Sequence, residues 1–123
     1  MTLEGLREFC RKLPGTTEDI KWEDNAVFSV ERKMYCLINV DAPWSLSVKS
    51  TPEDAAELVE REGIRPAPYM ARNHWVTLDS VTGVVSDREL RTLIVRSYDL
   101  VRAGLPKRVR ESLKPVPDAL RAR

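Results

Sequence analysis

Ala26-Val27-Phe28-Ser29-Val30-Glu31-Arg32-Lys33-Met34-Tyr35-Cys36-Leu37-Ile38-Asn39-Val40 decides the fold. Two runs rich in β-branched and aromatic residues, Ala26 to Val30 and Met34 to Val40, flank the charged triplet Glu31-Arg32-Lys33. Such residues suit the pleated, half-buried surface of a sheet. A connection this short is a tight hairpin turn, so the runs pair antiparallel. Ala42-Pro43 then breaks the chain, and Trp44-Ser45-Leu46-Ser47-Val48-Lys49 alternates large apolar with small polar residues. The result is a three-stranded meander with one wet face.

Helical signals lie on both sides. Thr2 caps a segment whose Leu3, Leu6, Phe9, Cys10 and Leu13 recur at helical spacing, and Pro14-Gly15 ends it before a polar turn. Thr51-Pro52-Glu53-Asp54 sets a cap, a proline at the first helical position and two carboxylates at the positive end of the dipole. Ala55, Ala56, Leu58 and Val59 continue that helix and Gly63 closes it. His74 to Leu78 reads as a strand, with Val81 to Val85 as an extension or a turn around Gly83. Ser86-Asp87-Arg88-Glu89 is a capping box. It opens the longest helix, with Leu90, Leu93, Ile94, Ser97, Tyr98 and Val101 on one face and Gly104 as terminator. Leu105-Pro106-Lys107 starts a short basic helix to about Leu113, after which Pro115 and Pro117 predict a frayed tail. The predicted order is α-β-β-β-α-β-α-α, an α+β domain of two layers with a mostly antiparallel twisted sheet and flanking helices. One domain over residues 1–114 is expected, with a flexible tail at 115–123.

At 123 residues the chain can bury a core without staples. Charged residues make up 32% and hydrophobic ones 42%, which excludes the disordered regime. No apolar run reaches membrane-spanning length, and the N-terminus lacks a basic region followed by a hydrophobic stretch, so a cytoplasmic protein without membrane contact is expected. Cys10 and Cys36 fall in apolar patterns and read as buried small hydrophobes.

Chemistry is sparse. A single histidine rules out a His-rich metal site, and five glycines form no phosphate-cradling pattern. Ser97 has no elbow motif around it, and a thiol in apolar surroundings stays neutral and inert. The cluster Glu18, Asp19, Glu23 and Asp24 lacks the spacing of a calcium loop and reads as solvated loop. Neither catalysis nor a cofactor is expected.

Binding is better supplied. Arg65-Pro66-Ala67-Pro68-Tyr69-Met70-Ala71-Arg72-Asn73-His74-Trp75-Val76 is a stiff, cationic, aromatic stretch. Net charge is +1, but ten basic against five acidic residues from Asp87 onward give +5 there and leave −4 on residues 1–86. That positive third is either an anion-facing surface or an arginine-rich solvated helix. Lys33, Lys49, Arg65, Arg72, Lys107, Arg108 and Arg110 are candidate phosphate contacts, and Tyr69, His74 and Trp75 supply planar groups for stacking. Against this, Trp22, Trp44 and Trp75 also suit core or sheet packing.

Several of these residues form an ordered series. Gly15 with Glu18, Trp22, Phe28-Ser29-Val30, Lys33-Met34-Tyr35, Ser45-Leu46-Ser47-Val48-Lys49, Arg65-Pro66-Ala67-Pro68-Tyr69, His74-Trp75-Val76, Ser97-Tyr98 and Leu105-Pro106-Lys107 together resemble the MmcQ/YjbR family. The likeness runs from about Thr2 to Leu113, with Trp22-Glu23 standing where many members have Trp-Gly. The resemblance implies a compact fold related to type III secretion chaperones. It also implies DNA as partner, because the family's sheet resembles a double-wing DNA-binding domain, an inference from fold alone. The chaperone-like fold equally allows a protein or peptide docked on the sheet.

Overall fold

A computed structural model describes residues 2–21, 24–41, 44–68, 70–79 and 85–121. Helix α1 (Leu3–Arg11) precedes strands β1 (Thr16–Lys21), β2 (Asn25–Val30), β3 (Lys33–Asn39) and β4 (Ser45–Lys49). Helix α2 (Pro52–Leu58), strands β5 (Ile64–Pro66) and β6 (Trp75–Leu78), and helices α3 (Asp87–Ala103) and α4 (Lys107–Ser112) follow. Single 3₁₀ turns occupy Ala71–Asn73 and Asp118–Leu120. The strands form one sheet in the order β1-β2-β3-β4-β6-β5, each pair antiparallel. The α+β class stands, but the predicted order lacks two strands: β1 lies where a polar turn is expected, and β5 lies in the Pro-rich loop.

Both added strands are edges, and that is why their sequences do not look like strands. An edge strand pairs on one side only, so it can be polar or very short. Thr16-Thr17-Glu18-Asp19-Ile20-Lys21 is largely exposed, and β5 has three residues.

The central hairpin turns on Glu31 and Arg32 alone, both left-handed at φ 49° and 67°, which is a two-residue type I′ geometry. Lys33 belongs to β3 rather than to the turn. Opposite Phe28 and Ser29 the register slips, so Tyr35 becomes the extra residue of a bulge. Tyr35 and Cys36 are consequently both buried.

One face of the sheet carries the core. Ala26, Ile38, Leu46, Leu78 and Ile64 form one row across the strands, and Phe28, Cys36, Val48 and Val76 the next. Leu6, Phe9 and Cys10 of α1 and Leu90, Leu93, Ile94, Tyr98 and Val101 of α3 close over them. Rings of Tyr35 and Tyr98 meet edge to face, with centroids 5.3 Å apart. The Tyr35 hydroxyl donates to the Cys10 carbonyl at 3.1 Å, and that of Tyr98 donates to the Pro14 carbonyl at 2.6 Å. Cys10 and Cys36 are free and buried, and burial followed by the neighbouring Cys10 pushes the Cys36 thiol up.

Thr2, Thr51 and Ser86 cap the three longer helices through their hydroxyls. In the expected capping box, Ser86 accepts the Glu89 amide at 3.1 Å, while the Glu89 carboxylate takes both terminal nitrogens of Arg61, at 2.6 and 3.1 Å. Residues after 114, expected as a flexible tail, lie against the domain. Val116 is buried, Leu120 packs on the core and Arg121 pairs with Asp99 at 3.0 Å.

Candidate nucleic-acid interface at one end of the sheet

Antiparallel order sorts the loops to two ends. At the first end lie the Glu31-Arg32 turn, the start of β3 at Lys33, the end of β4 at Lys49, the end of β5 at Pro66 and the start of β6 at Trp75. The Pro-rich loop joins them, because the Ser50 amide donates to the His74 carbonyl at 2.9 Å. A groove of about 270 Å³ opens here, lined by Lys33, Met34, Lys49 and Trp75 from the strands and by Leu100, Val101 and Gly104 of α3. Helix α4 leaves from the same place, and Leu113 at its end reaches Gly15 just before β1.

Five expected site residues, Lys33, Lys49, Arg72, His74 and Trp75, therefore converge on one end, and Lys107 and Arg108 begin the helix beside it. Arg32, which nothing in its sequence surroundings singles out, joins them at the hairpin tip. Among the described residues, Arg32, Lys33, Lys49, Arg72 and Arg108 have no carboxylate partner within ion-pair distance. Lys107 has only Glu111, at 3.9 Å.

The remaining candidates are placed differently. Arg65 is engaged by Asp79, its Nε donating to both carboxylate oxygens at 2.7 and 2.9 Å. Arg110 donates to the Ala103 carbonyl at 3.1 Å and so braces α4 on α3. Trp75 is 6% exposed and walls the groove, which leaves no free face for stacking. His74 is half-buried in a left-handed conformation, φ 64°, its amide donating to Ala71. Tyr69 and Trp22 lie outside the described residues, as do residues 81–84 of the segment read as an extension.

Acidic groups gather at the opposite end. Asp24 and Asp41 stand side by side there, and a hydrogen bond from the protonated Asp41 carboxyl to the Asp24 carboxylate, with burial second, raises Asp41 above the usual carboxylate range. Asp79 follows β6 at the same end. Among the described residues, the sheet thus carries unpaired cations at one end of its strands and the Asp24–Asp41 pair at the other. Among the described residues no cluster of three or more His, Cys, Asp or Glu could hold a metal, and no helix is long and apolar enough to cross a membrane.

The sheet face away from the helices is not the wet face that the alternation of β4 predicts: Val27, Ser29, Ser47 and Thr77 on it are buried. A concavity of about 620 Å³ remains there, lined by Met34, Leu37, Ser47 and Thr77 of the strands and by Pro68 and Met70 of the Pro-rich loop. Ser47 and Thr77 hydroxyls meet at 2.7 Å and satisfy each other.

This architecture is shared with known proteins. The model of the YjbR family matches residues 11–100, most of the chain. The chain belongs to the YjbR family. Its fold is similar to that of the Deinococcus radiodurans protein DR2400, which carries a DUF419 domain: 33% identity, TM-score 0.81, covering 89% of this chain and 86% of that one. A Pseudomonas syringae protein is similar at 26% identity and TM-score 0.68, over 82% of this chain and 99% of its own. No curated protein matches. In YjbR-family terms, the expected resemblance holds for family and fold, and the six-stranded sheet is the frame on which both the cationic end and the concavity are built.

Proposed function

We propose that the protein is a non-catalytic DNA-binding module that meets the phosphate backbone with the cationic end of its sheet. The observation that carries this reading is the gathering of Arg32 and Lys33, Lys49 and Arg72, from three separate parts of the sequence, at one end without carboxylate partners among the described residues, next to Lys107 and Arg108 of α4. Phosphate contacts fix position and need cations on a rigid frame, which strand ends and a tight turn supply. Base stacking has little part in it, since Trp75 is packed away.

Fluorescence anisotropy with a labelled duplex at rising salt tests the reading. Binding is expected at low salt, falling linearly in a log-log plot. Lys33→Glu with Lys49→Glu should weaken it and reduce the salt slope by about 1 for each phosphate no longer neutralised. Absence of binding at low salt rejects the proposal.

A second reading has its own support in the concavity on the far sheet face, where Met34, Leu37, Pro68 and Met70 offer apolar contact to an extended peptide. Binding of that kind would tolerate salt and would respond to Leu37→Asp but not to the lysine changes.

A further inference from the structure

The two edges of the sheet are protected to different degrees. β5 is three residues long and ends on Pro66, which has no N–H to offer a neighbour. β1 runs six residues without proline, and all six pair regularly with β2, with no bulge. Its Ile20 is 55% exposed, although it stands on the core-side row with Ala26 and Ile38. Helix α1 meets β1 at Glu18, where Arg7 and Arg11 pair with it, and leaves Ile20 two residues further on bare.

The backbone of β1 can be read from the hairpin. A two-residue turn makes Val30 and Lys33 the hydrogen-bonded pair that closes it, so Val30 turns its amide and carbonyl away from β1. Alternation along the register then gives Thr17, Asp19 and Lys21 to β2, while Glu18 and Ile20 send N–H and C=O outward.

We propose that β1 pairs antiparallel with β1 of a second copy across a twofold axis at Ile20, joining two sheets into one. Twofold registers centred on Thr17, Glu18, Asp19, Ile20 or Lys21 match the outward groups. Those on Glu18, Asp19 and Lys21 set a charge against itself, and like charges directly opposite are destabilising. The one on Thr17 forms no ion pair and leaves Ile20 bare. In the one on Ile20, Ile20 meets Ile20 and Asp19 faces Lys21 of the second copy on both sides of the axis, so charge complementarity chooses it. The Glu18 carboxylate stays with Arg7 and Arg11 of its own chain, at 2.8 and 2.7 Å, and does not oppose the approach. One strand pair is a small interface, so the dimer is weak and concentration-dependent.

Sedimentation velocity on the full chain, from micromolar to millimolar protein and without nucleic acid, tests this. Wild type should pass from monomer to dimer. Lys21→Glu should weaken the dimer about tenfold, because two attractive pairs become repulsive. Asp19→Lys alone should do the same, and the two together should restore it. Both residues face solvent, and an unchanged melting temperature shows each variant is folded. A protein that stays monomeric at millimolar concentration overturns the proposal. So does a dimer indifferent to Lys21→Glu, or one that the double exchange fails to restore.

Discussion

Serine is a mediocre residue for the middle of a helix, since its hydroxyl competes for backbone groups. Ser97 in α3 spends that hydroxyl on the sheet. It donates to the Tyr35 carbonyl at 2.5 Å and accepts the Lys49 amide at 2.9 Å, linking α3 to β3 and β4. The Tyr35 carbonyl and Lys49 amide sit beside the bulge and at a strand end, where the regular ladder no longer serves them. Ser97→Ala would leave two backbone groups unpaired and is expected to cost about 1–3 kcal/mol. Urea unfolding would show the loss, and hydrogen exchange should quicken at the Lys49 amide. The sequence marks Ser97 as a position on the buried helix face and no more, because a partner 62 positions away leaves no local pattern.

Strand β1 and helix α1 are joined by charge. Burial alone would raise the Glu18 carboxyl, but hydrogen bonds from Arg11 and Arg7 outweigh it and hold Glu18 below the usual carboxylate range. A carboxylate whose value is depressed on folding adds stability that is present above its unfolded pKa, about 4.3, and is lost as pH falls through the folded value. Melting temperature measured against pH should therefore show wild type above Glu18→Gln at neutral pH, with the gap closing in acid. A gap that stays constant would mean the ion pairs contribute nothing. In sequence Glu18 reads as solvated loop, since an acidic run looks the same in a loop and in an edge strand. What separates the two is the pairing of Thr16–Lys21 with β2, which a single chain's periodicity does not record. The central strands are legible because helices cover one face and neighbouring strands pair both edges. Capped helices are legible too, because Thr2, Thr51 and Ser86 act within three residues of themselves.

Across the molecule, the C-terminal segment is held by Arg102, whose guanidinium donates to the carbonyls of Lys114, Leu113 and Arg110 at 2.7, 3.0 and 3.3 Å and to the Tyr98 hydroxyl at 3.3 Å. Prolines at 115 and 117 predict fraying, and nothing local points to a clamp supplied by the preceding helix. Replacing Arg102 with Met should release residues 107–121 while leaving the sheet folded, at a cost of about 1.5–3 kcal/mol. Limited proteolysis would then cut first in that segment. The same variant bears on the proposed DNA contact: freeing α4 would move Lys107 and Arg108 away from Lys33 and Lys49, and on that reading affinity should fall without being abolished. As for the candidate site, sequence names cations that the fold gathers at one end, but it cannot show that Asp79 claims Arg65 or that Ala103 claims Arg110. Those assignments are set by tertiary neighbours. Glu31 and Arg32 add a last consequence. Neither is glycine, so each left-handed backbone sits uphill of its relaxed shape and is kept there by six paired strands. Whatever the tip encounters, it need not be frozen on arrival; the entropy of shaping it was surrendered when the chain folded.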